Sequence, residues 1–389
     1  MEEHLVEIKL GPAVEVELGN RIRCYASVEY AYVVFLVFVK VPVELASYSS
    51  ILCTLGLRVA GWLARSLGGA VSFISAVLSG LSIPFDSVSK VGPDFKYSPA
   101  QIPIKVHGSN TTLFHAHFDS CADEATAHRD RLLKRVAACD PISPSDLPTR
   151  CYDFGMAVGV GGEIQPQTLE KMTEICRVVF VDIQALIREF DPMDGTVKLV
   201  RLKDSGFYHL LPRIGFLKAS SEEALFMDVE EVRRRCCVVV TNGKEGCSVY
   251  WKDGDFKIQP FTANQVDPTG AGDSFLGGLV GGLAAGLAVP DAALLGNLFG
   301  SLTVGQVGLP KFDPRLLQGV QDEVQRRKMQ SMHCFRSMGD ESKYMKPAGH
   351  DQFHTSLAAS RLLAKFPVED LQSPRKVDEL PRAIPGLDY

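Results

Sequence analysis

Val266-Asp267-Pro268-Thr269-Gly270-Ala271-Gly272-Asp273-Ser274-Phe275 places two glycines and a carboxylate at what reads as the first turn of a helix. Unpaired backbone N–H groups at a helix N-terminus point outward together, and at Gly270 and Gly272 no Cβ keeps an anion away from them. A carboxylate at such a place repels a phosphate. Asp273 therefore makes chemical sense as the group that takes a proton from a hydroxyl attacking a phosphoryl group, which points to a small-molecule kinase. The plainer reading is a turn followed by an acid that complements the helix dipole, worth about 0.3–1 kcal/mol. The next residues weigh against it: Gly277, Gly278, Gly281, Gly282 and Gly286 follow within the stretch Phe275 to Val289. Each interior glycine costs a helix about 1 kcal/mol relative to alanine, so close backbone packing is expected there. The run is well short of the ~20 residues that cross a bilayer, which argues against a membrane dimerisation face.

Outward from this motif, apolar runs alternate with amphipathic helical stretches. Tyr152 to Val160 reads as a strand, Pro166 to Arg177 as a helix, Val178 to Ile183 and Ile214 to Lys218 as strands, and Ser221 to Arg235 as a helix. A strand at Cys236 to Thr241 and the pair Gly246 to Trp251 and Phe256 to Phe261 complete the series. Such alternation predicts an α/β fold with a parallel sheet covered on both faces. Ligands of these sheets bind beyond the carboxyl ends of the strands, which brings Asp182, Ser220 and Thr241 towards one cleft with the Asp273 helix. Ser220 with Glu223 is also a capping-box pattern, and Thr241-Asn242-Gly243 before Gly246 is equally a hairpin connection. Neither an internal repeat nor a P-loop is present.

The chain has 389 residues, 46% hydrophobic and 22% charged, enough for one large α/β domain with a small appendage. A net charge of −5 gives no basic excess for nucleic acid. Ten cysteines include no Cys-x-x-Cys pair and read as core thiols in a reducing, cytoplasmic setting, where the sequon at Asn110 stays silent. The apolar stretch Ala31 to Val39 lacks a basic leader, and Ile51 to Ala64 is broken by Arg58, so no membrane partner is expected. His115 and His117 share one face of an alternating run, as a polar sheet face or as two metal ligands in want of a third. Arg129, Arg131 and Lys134 read as a solvated helix face.

Asp267 to Asp273 resembles the signature of the ribokinase-like (PfkB) carbohydrate kinases, and within that family the chain is most similar to the plant myo-inositol 3-kinases. Supporting stretches are Leu67-Gly68-Gly69-Ala70, His128-Arg-Asp-Arg, Cys139-Asp-Pro-Ile, Val181-Asp-Ile-Gln-Ala-Leu-Ile-Arg188, Phe216-Leu-Lys-Ala-Ser-Ser-Glu-Glu223 and Leu294-Leu-Gly-Asn-Leu-Phe-Gly300. The resemblance runs from about Arg58 to Met329. It implies a ribokinase-like three-layer sandwich with a mostly parallel central sheet and a small β lid. The kinase domain would span 58–322 with lid parts within 58–118, after an atypical leader at 1–57 and before a polar helix and mobile tail at 323–389. A short amphipathic helix from about His354 to Phe366 is expected within that tail.

By the same resemblance, ATP and Mg2+ serve phosphorylation of a polyol hydroxyl, that of myo-inositol at its 3-position. Asp273 is the implied base, with the amides of Gly270, Ala271 and Gly272 around the phosphoryl group and Gly68 and Gly69 on the substrate side. Ser220 stands where the family has a nucleotide-contacting Asn; Thr241 and Gly243 lie against the nucleotide, and Asn297 beside the adenine. Glu223 and Asp267 would organise the cation side, indirectly. Val91-Gly92-Pro93-Asp94-Phe95 resembles the Gly-x-Asp turn before the lid, and Phe73 replaces an Asn that binds sugar hydroxyls. Another sugar or nucleoside kinase, or a catalytically silent relative acting as a binding protein, are the alternatives.

Members of this family begin with a strand carrying a substrate-binding Asp, and nothing before Arg58 matches it. Losing such a charge-assisted contact costs on the order of 1.5–3 kcal/mol in binding. Either an unrelated leader leaves the sheet short of an element or a divergent strand such as Tyr32 to Val39 takes its place; the first is the expectation.

Overall fold

The computed structural model describes residues 26–32, 34–40, 64–97, 101–118, 131–335 and 343–363. Its strands are β1 (Ala26–Tyr32), β2 (Val34–Val39), β3 (Ala64–Gly68), β4 (Phe85–Val91), β5 (Ile104–Lys105), β6 (Leu113–Phe118), β7 (Arg131–Ala137), β8 (Tyr152–Val158), β9 (Cys176–Asp182), β10 (Arg188–Phe190), β11 (Val197–Leu199), β12 (Phe216–Ser220), β13 (Cys237–Thr241), β14 (Cys247–Trp251) and β15 (Gly254–Ile258). The helices are α1 (Ala70–Gly80), α2 (Pro166–Ile175), the single turns α3 (Gln184–Ile187) and α4 (Val229–Val232), α5 (Ala271–Ala284), α6 (Val289–Thr303), α7 (Pro314–Phe335) and α8 (His350–Leu363).

Nine strands form the central sheet in the order β15-β14-β13-β12-β9-β8-β2-β4-β5. The block β8, β9, β12 and β13 is parallel throughout, and β14 and β15 extend it as an antiparallel meander. Side chains of a strand alternate between faces, so these apolar runs feed two cores. Phe180, Phe216, Cys237 and Val239 join one core with α1, α5 and α6, whereas Val179, Val181, Leu217 and Val238 join the other with α2. Three layers follow from that alternation.

The expectation that the sheet lacks an element near its start is overturned. Strand β2 lies between β4 and β8, antiparallel to both, and Leu36, Val37, Phe38 and Val39 are each 0% exposed. A continuous run of apolar residues suits a strand covered on both sides, and each such side chain contributes about 1.5–3 kcal/mol on burial. Val37 and Val39 enter one core and Leu36 and Phe38 the other. The run contains no acid, so it restores the layer without restoring the family's carboxylate.

A second sheet, ordered β3-β1-β6-β7, lies outside the layered body. It draws on 26–32 and 131–137 as well as on the expected 58–118 stretch. The helix face expected around Arg131 and Lys134 is therefore a strand. Pairing with β6 along its length outweighs local helix preference, and Lys134 meets Asp194 at 2.7 Å. Arg129, residues 51–63 of the apolar stretch Ile51 to Ala64 and the leader before Ala26 lie outside the described residues.

Two other expectations change. The single helix over 221–235 divides into a 3-10 turn, Glu223–Phe226, and α4, because the Asp228 side chain accepts the N–H of Glu231 and starts a new turn. Residues 343–363, expected to be mobile apart from a short helix, dock on the body. Tyr344 stacks on Trp251 with ring centroids 5.4 Å apart, Arg327 donates to Asp291 at 2.7 Å and to the Ala348 carbonyl at 2.6 Å, and the His350 ring meets Asp291 at 2.6 Å. These partners are far apart in sequence, so local polarity does not reveal them. The tail beyond residue 363 lies outside the described residues.

The glycines of α5 mark close packing, as their cost implies. A Cβ on Gly278 would come within 2.8 Å of the Leu295 carbonyl oxygen, and one on Gly296 within 2.8 Å of that of Phe275. Helices α5 and α6 thus meet backbone to backbone. Among the described cysteines, Cys176 and Cys236 are buried thiols pushed up to about 12 by that burial, as core residues. No helix among the described residues is long and apolar enough to cross a membrane.

Candidate active site

The turn before α5 is fixed from both ends. The N–H groups of Val266 and Asp267 donate to the Val304 carbonyl at 2.7 and 3.1 Å, and buried Asp267 accepts from the N–H of Thr269 at 2.9 Å. Gly270 adopts φ 77°, a left-handed conformation that glycine reaches without penalty. A Cβ there would stand 2.1 Å from the Phe73 ring, so helix α1 closes on this turn as well. The substrate-side pair is connected to it: Gly68 ends β3 opposite Tyr32, Gly69 turns at φ 95°, and α1 then carries Phe73 onto Gly270. The N–H of Ala271 points to the Pro268 carbonyl at 3.3 Å, a long bond at a helix start.

Asp273 sits in the first turn of α5 and is half-buried. Burial raises its pKa to about 6; Asp182 and Glu223 push the same way, and Lys218 and Arg188 oppose them. Its carboxyl is thus poised to exchange a proton near neutrality.

Lys218 projects from β12 into the same place. Its Nζ is 2.8 Å from Asp182 Oδ2 at the end of β9, with the two side chains 8% and 0% exposed. A Cβ on Gly272 would lie 2.7 Å from that Nζ, so the glycine makes room for this cation. Burial works against the ammonium, but Asp182, Glu223 and Asp273 outweigh it and hold the group charged. Glu223 is lowered despite its burial, chiefly by Lys218 and Arg188; the Arg188 guanidinium lies 3.7 Å from it. The carboxyl ends of β9 and β12 therefore meet the N-terminus of α5 in one charged cluster, Asp182, Lys218, Glu223, Arg188 and Asp273.

The remaining expected residues fall around this cluster. Ser220 and Glu223 exchange bonds: the Ser220 N–H donates to Glu223 Oε2 at 2.9 Å and the Glu223 N–H to Ser220 Oγ at 3.2 Å. That is the capping arrangement, and it also holds the Glu223 carboxylate at the cluster. Thr241 donates to the Ala219 carbonyl at 3.3 Å, and the following turn is a hairpin connection between β13 and β14. Gly243, at φ 54°, has nothing within 4 Å of where a Cβ would be, so this edge is open. The Asn297 amide donates to the Ile258 and Gln259 carbonyls at 3.3 and 2.9 Å, tying α6 to the end of β15. In the Gly-x-Asp turn, Asp94 accepts the N–H of Thr111 at 2.8 Å and thereby anchors the start of β6.

Sequence reasoning gave no role to Lys218, Arg188 or Glu163. A lone lysine inside the apolar strand Phe216-Leu-Lys-Ala was the available signal for the first. Glu163 is 4% exposed and accepts the Gly161 N–H, while its Oε1 and the Nε of Arg188 are buried with no hydrogen-bond partner among the described residues. Burial raises the Glu163 carboxyl to about 7. Nothing in its local sequence distinguishes it from a surface glutamate.

No three His, Cys, Asp or Glu side chains among the described residues converge as a metal site. Hard carboxylate oxygens on Glu223 and Asp267 nevertheless suit a magnesium ion whose other ligands are phosphate and water, the usual sharing for that ion. His115 lies on β6, and the side chain of His117 is outside the described residues.

The sequence profile of the pfkB family carbohydrate kinases matches residues 209–314, which hold most of this cluster. The chain is 62% identical over 298 residues to the inositol 3-kinase of Arabidopsis thaliana, spanning 77% of this chain and 82% of that protein. It is 48% identical over 319 residues to the inositol 3-kinase of Oryza sativa subsp. japonica, spanning 79% of each. Among solved structures, a pyrophosphate-dependent kinase in the ribokinase family, complexed with a pyrophosphate analog and myo-inositol, superposes with a TM-score of 0.54 at 15% identity. The match spans 65% of this chain and 92% of that one, and it speaks for the fold.

Proposed function

The chain belongs to the pfkB family of carbohydrate kinases, and on that premise we propose that it transfers the terminal phosphoryl group of ATP to the 3-hydroxyl of myo-inositol. The observation that carries the reading is Asp273. A half-buried carboxyl with a pKa of about 6 in the first turn of α5 supports a base beside a phosphate received at that helix start.

The hydroxyl oxygen attacks the terminal phosphorus as its proton passes to Asp273, and the main-chain amides of Gly270, Ala271 and Gly272 take up charge on the transferring group. Glu223 and Asp267 would hold magnesium together with the donor's phosphates, and the ion would neutralise phosphate charge. Ser220, Thr241 and the open edge at Gly243 offer the nucleotide a path along the strand ends. The sheet β3-β1-β6-β7 would close over the acceptor and keep out water, which otherwise competes for the phosphoryl group. Phe73, packed at the Gly270 turn, offers no side-chain amide of the kind a furanose site uses, which is compatible with an inositol.

The test is a coupled ADP-release assay over myo-inositol, ribose, fructose and adenosine, with ATP and inorganic pyrophosphate offered in turn as donor. Preference for ATP and myo-inositol, with the phosphate located at the 3-position by NMR, supports the reading; preference for a sugar overturns it. Asp273→Asn should lower kcat by about 100-fold or more while ATP binding stays within threefold. Equal turnover in that variant would remove Asp273 from the role.

A further inference from the structure

We propose that Lys218 is a catalytic residue, whose ammonium binds the oxygens of the phosphoryl group during transfer as well as pairing with Asp182. The inference rests on the kinase reading above and adds to it a cation that the signature motif does not contain.

Lys218 is 6% exposed, and an ammonium carries three donors. One donor meets Asp182 Oδ2 at 2.8 Å; no other acceptor for it occurs among the described residues. Two unmet donors on a buried cation are costly unless a ligand supplies oxygens. The position of the group says which ligand: its Nζ occupies the space that a side chain at Gly272 would fill, directly beside the amides of the α5 N-terminus. An anion received by those amides lies against the ammonium. The surrounding carboxylates, Asp182, Glu223 and Asp273, would repel a phosphate, and Lys218 is the cation of the cluster that touches the α5 turn.

In the step itself the inositol oxygen forms a bond to the terminal phosphorus. The bond from that phosphorus to the bridging oxygen breaks, its electron pair leaves with ADP, and the hydroxyl proton goes to Asp273. Lys218 stays protonated throughout and follows the growing charge on the non-bridging oxygens. It needs no base, and its pairing with Asp182 keeps the ammonium in place between turnovers.

A purely structural role, as the counter-ion of buried Asp182, makes a different prediction. Lys218→Met should lower kcat by about 100–1000-fold, with KM for myo-inositol within threefold, as loss of one charge-stabilising donor does. The same variant should weaken ATP binding, measured by calorimetry without polyol, more than it weakens ADP binding. Because it also strands the Asp182 carboxylate, the pair Asp182→Asn with Lys218→Met is the decisive variant: its buried charges are gone together. Activity that stays as low as in Lys218→Met, with the melting temperature recovered, supports the inference. Recovery to within tenfold of the unaltered chain overturns it, as does an Lys218→Met variant with unchanged kcat. An unaltered chain that binds ATP but turns over no polyol would instead refute the kinase reading, and the ATP-against-ADP difference would then decide Lys218 by itself.

Discussion

At the residue scale the site is governed by how far burial shifts each charge. Asp273 reaches about 6 because burial, reinforced by Asp182 and Glu223, exceeds the opposing pull of Lys218 and Arg188. A base must be ionised to accept a proton, so kcat/KM for the polyol should rise with pH and level off above an apparent value near 6. A profile flat from pH 5 to 8 would exclude Asp273 as the titrating base. Glu163 provides a stability counterpart. Its folded value of about 7 lies above the ordinary carboxyl range, so its proton stabilises the fold at low pH, and that contribution is lost as pH rises towards 7. Glu163→Gln cannot ionise; thermal melts should therefore show it level with the unaltered chain at pH 5 and higher at pH 8. Equal melting temperatures at both values would contradict the raised pKa.

At the element scale, a strand is recognised by its pattern but placed by its neighbours. The strands β9, β12 and β13 were legible because residues facing two cores leave short continuous apolar runs between helical stretches. The glycines of α5 were legible for another reason, since only backbone contact with α6 compensates their helix cost. The apolar run of β2 was equally visible, yet nothing local says that it enters between β8 and β4 and runs against both. Phe38→Ala tests that placement. A fully buried phenylalanine, 4.9 Å from the Tyr152 ring, should cost about 3–5 kcal/mol in urea unfolding. A loss under about 1 kcal/mol would put this strand outside the core, because surface substitutions cost no more than that.

At the scale of the whole molecule, the C-terminal elements are part of the folded body. Asp291, 0% exposed, receives both Arg327 and His350, while His354 meets the Pro260 carbonyl at 3.1 Å and Arg361 donates to that of Thr262 at 2.9 Å. Asp291→Ala would leave a buried guanidinium unpaired and should cost about 3–5 kcal/mol, read as a lower urea midpoint and as protease cutting within 343–363. An unchanged midpoint would mean that the tail is not held by this pair. The sequence by itself determined the layered α/β class, the glycine-rich helix start and the acid within it, since these depend on periodicity and on neighbours within a few residues. The tertiary structure alone decided that Lys218 pairs with Asp182 beside the Asp273 turn, that β2 completes the sheet, and that residues 343–363 dock. Those outcomes depend on which distant groups are removed from water together, and the free energy of a charge is set by that shared desolvation rather than by its place in the chain.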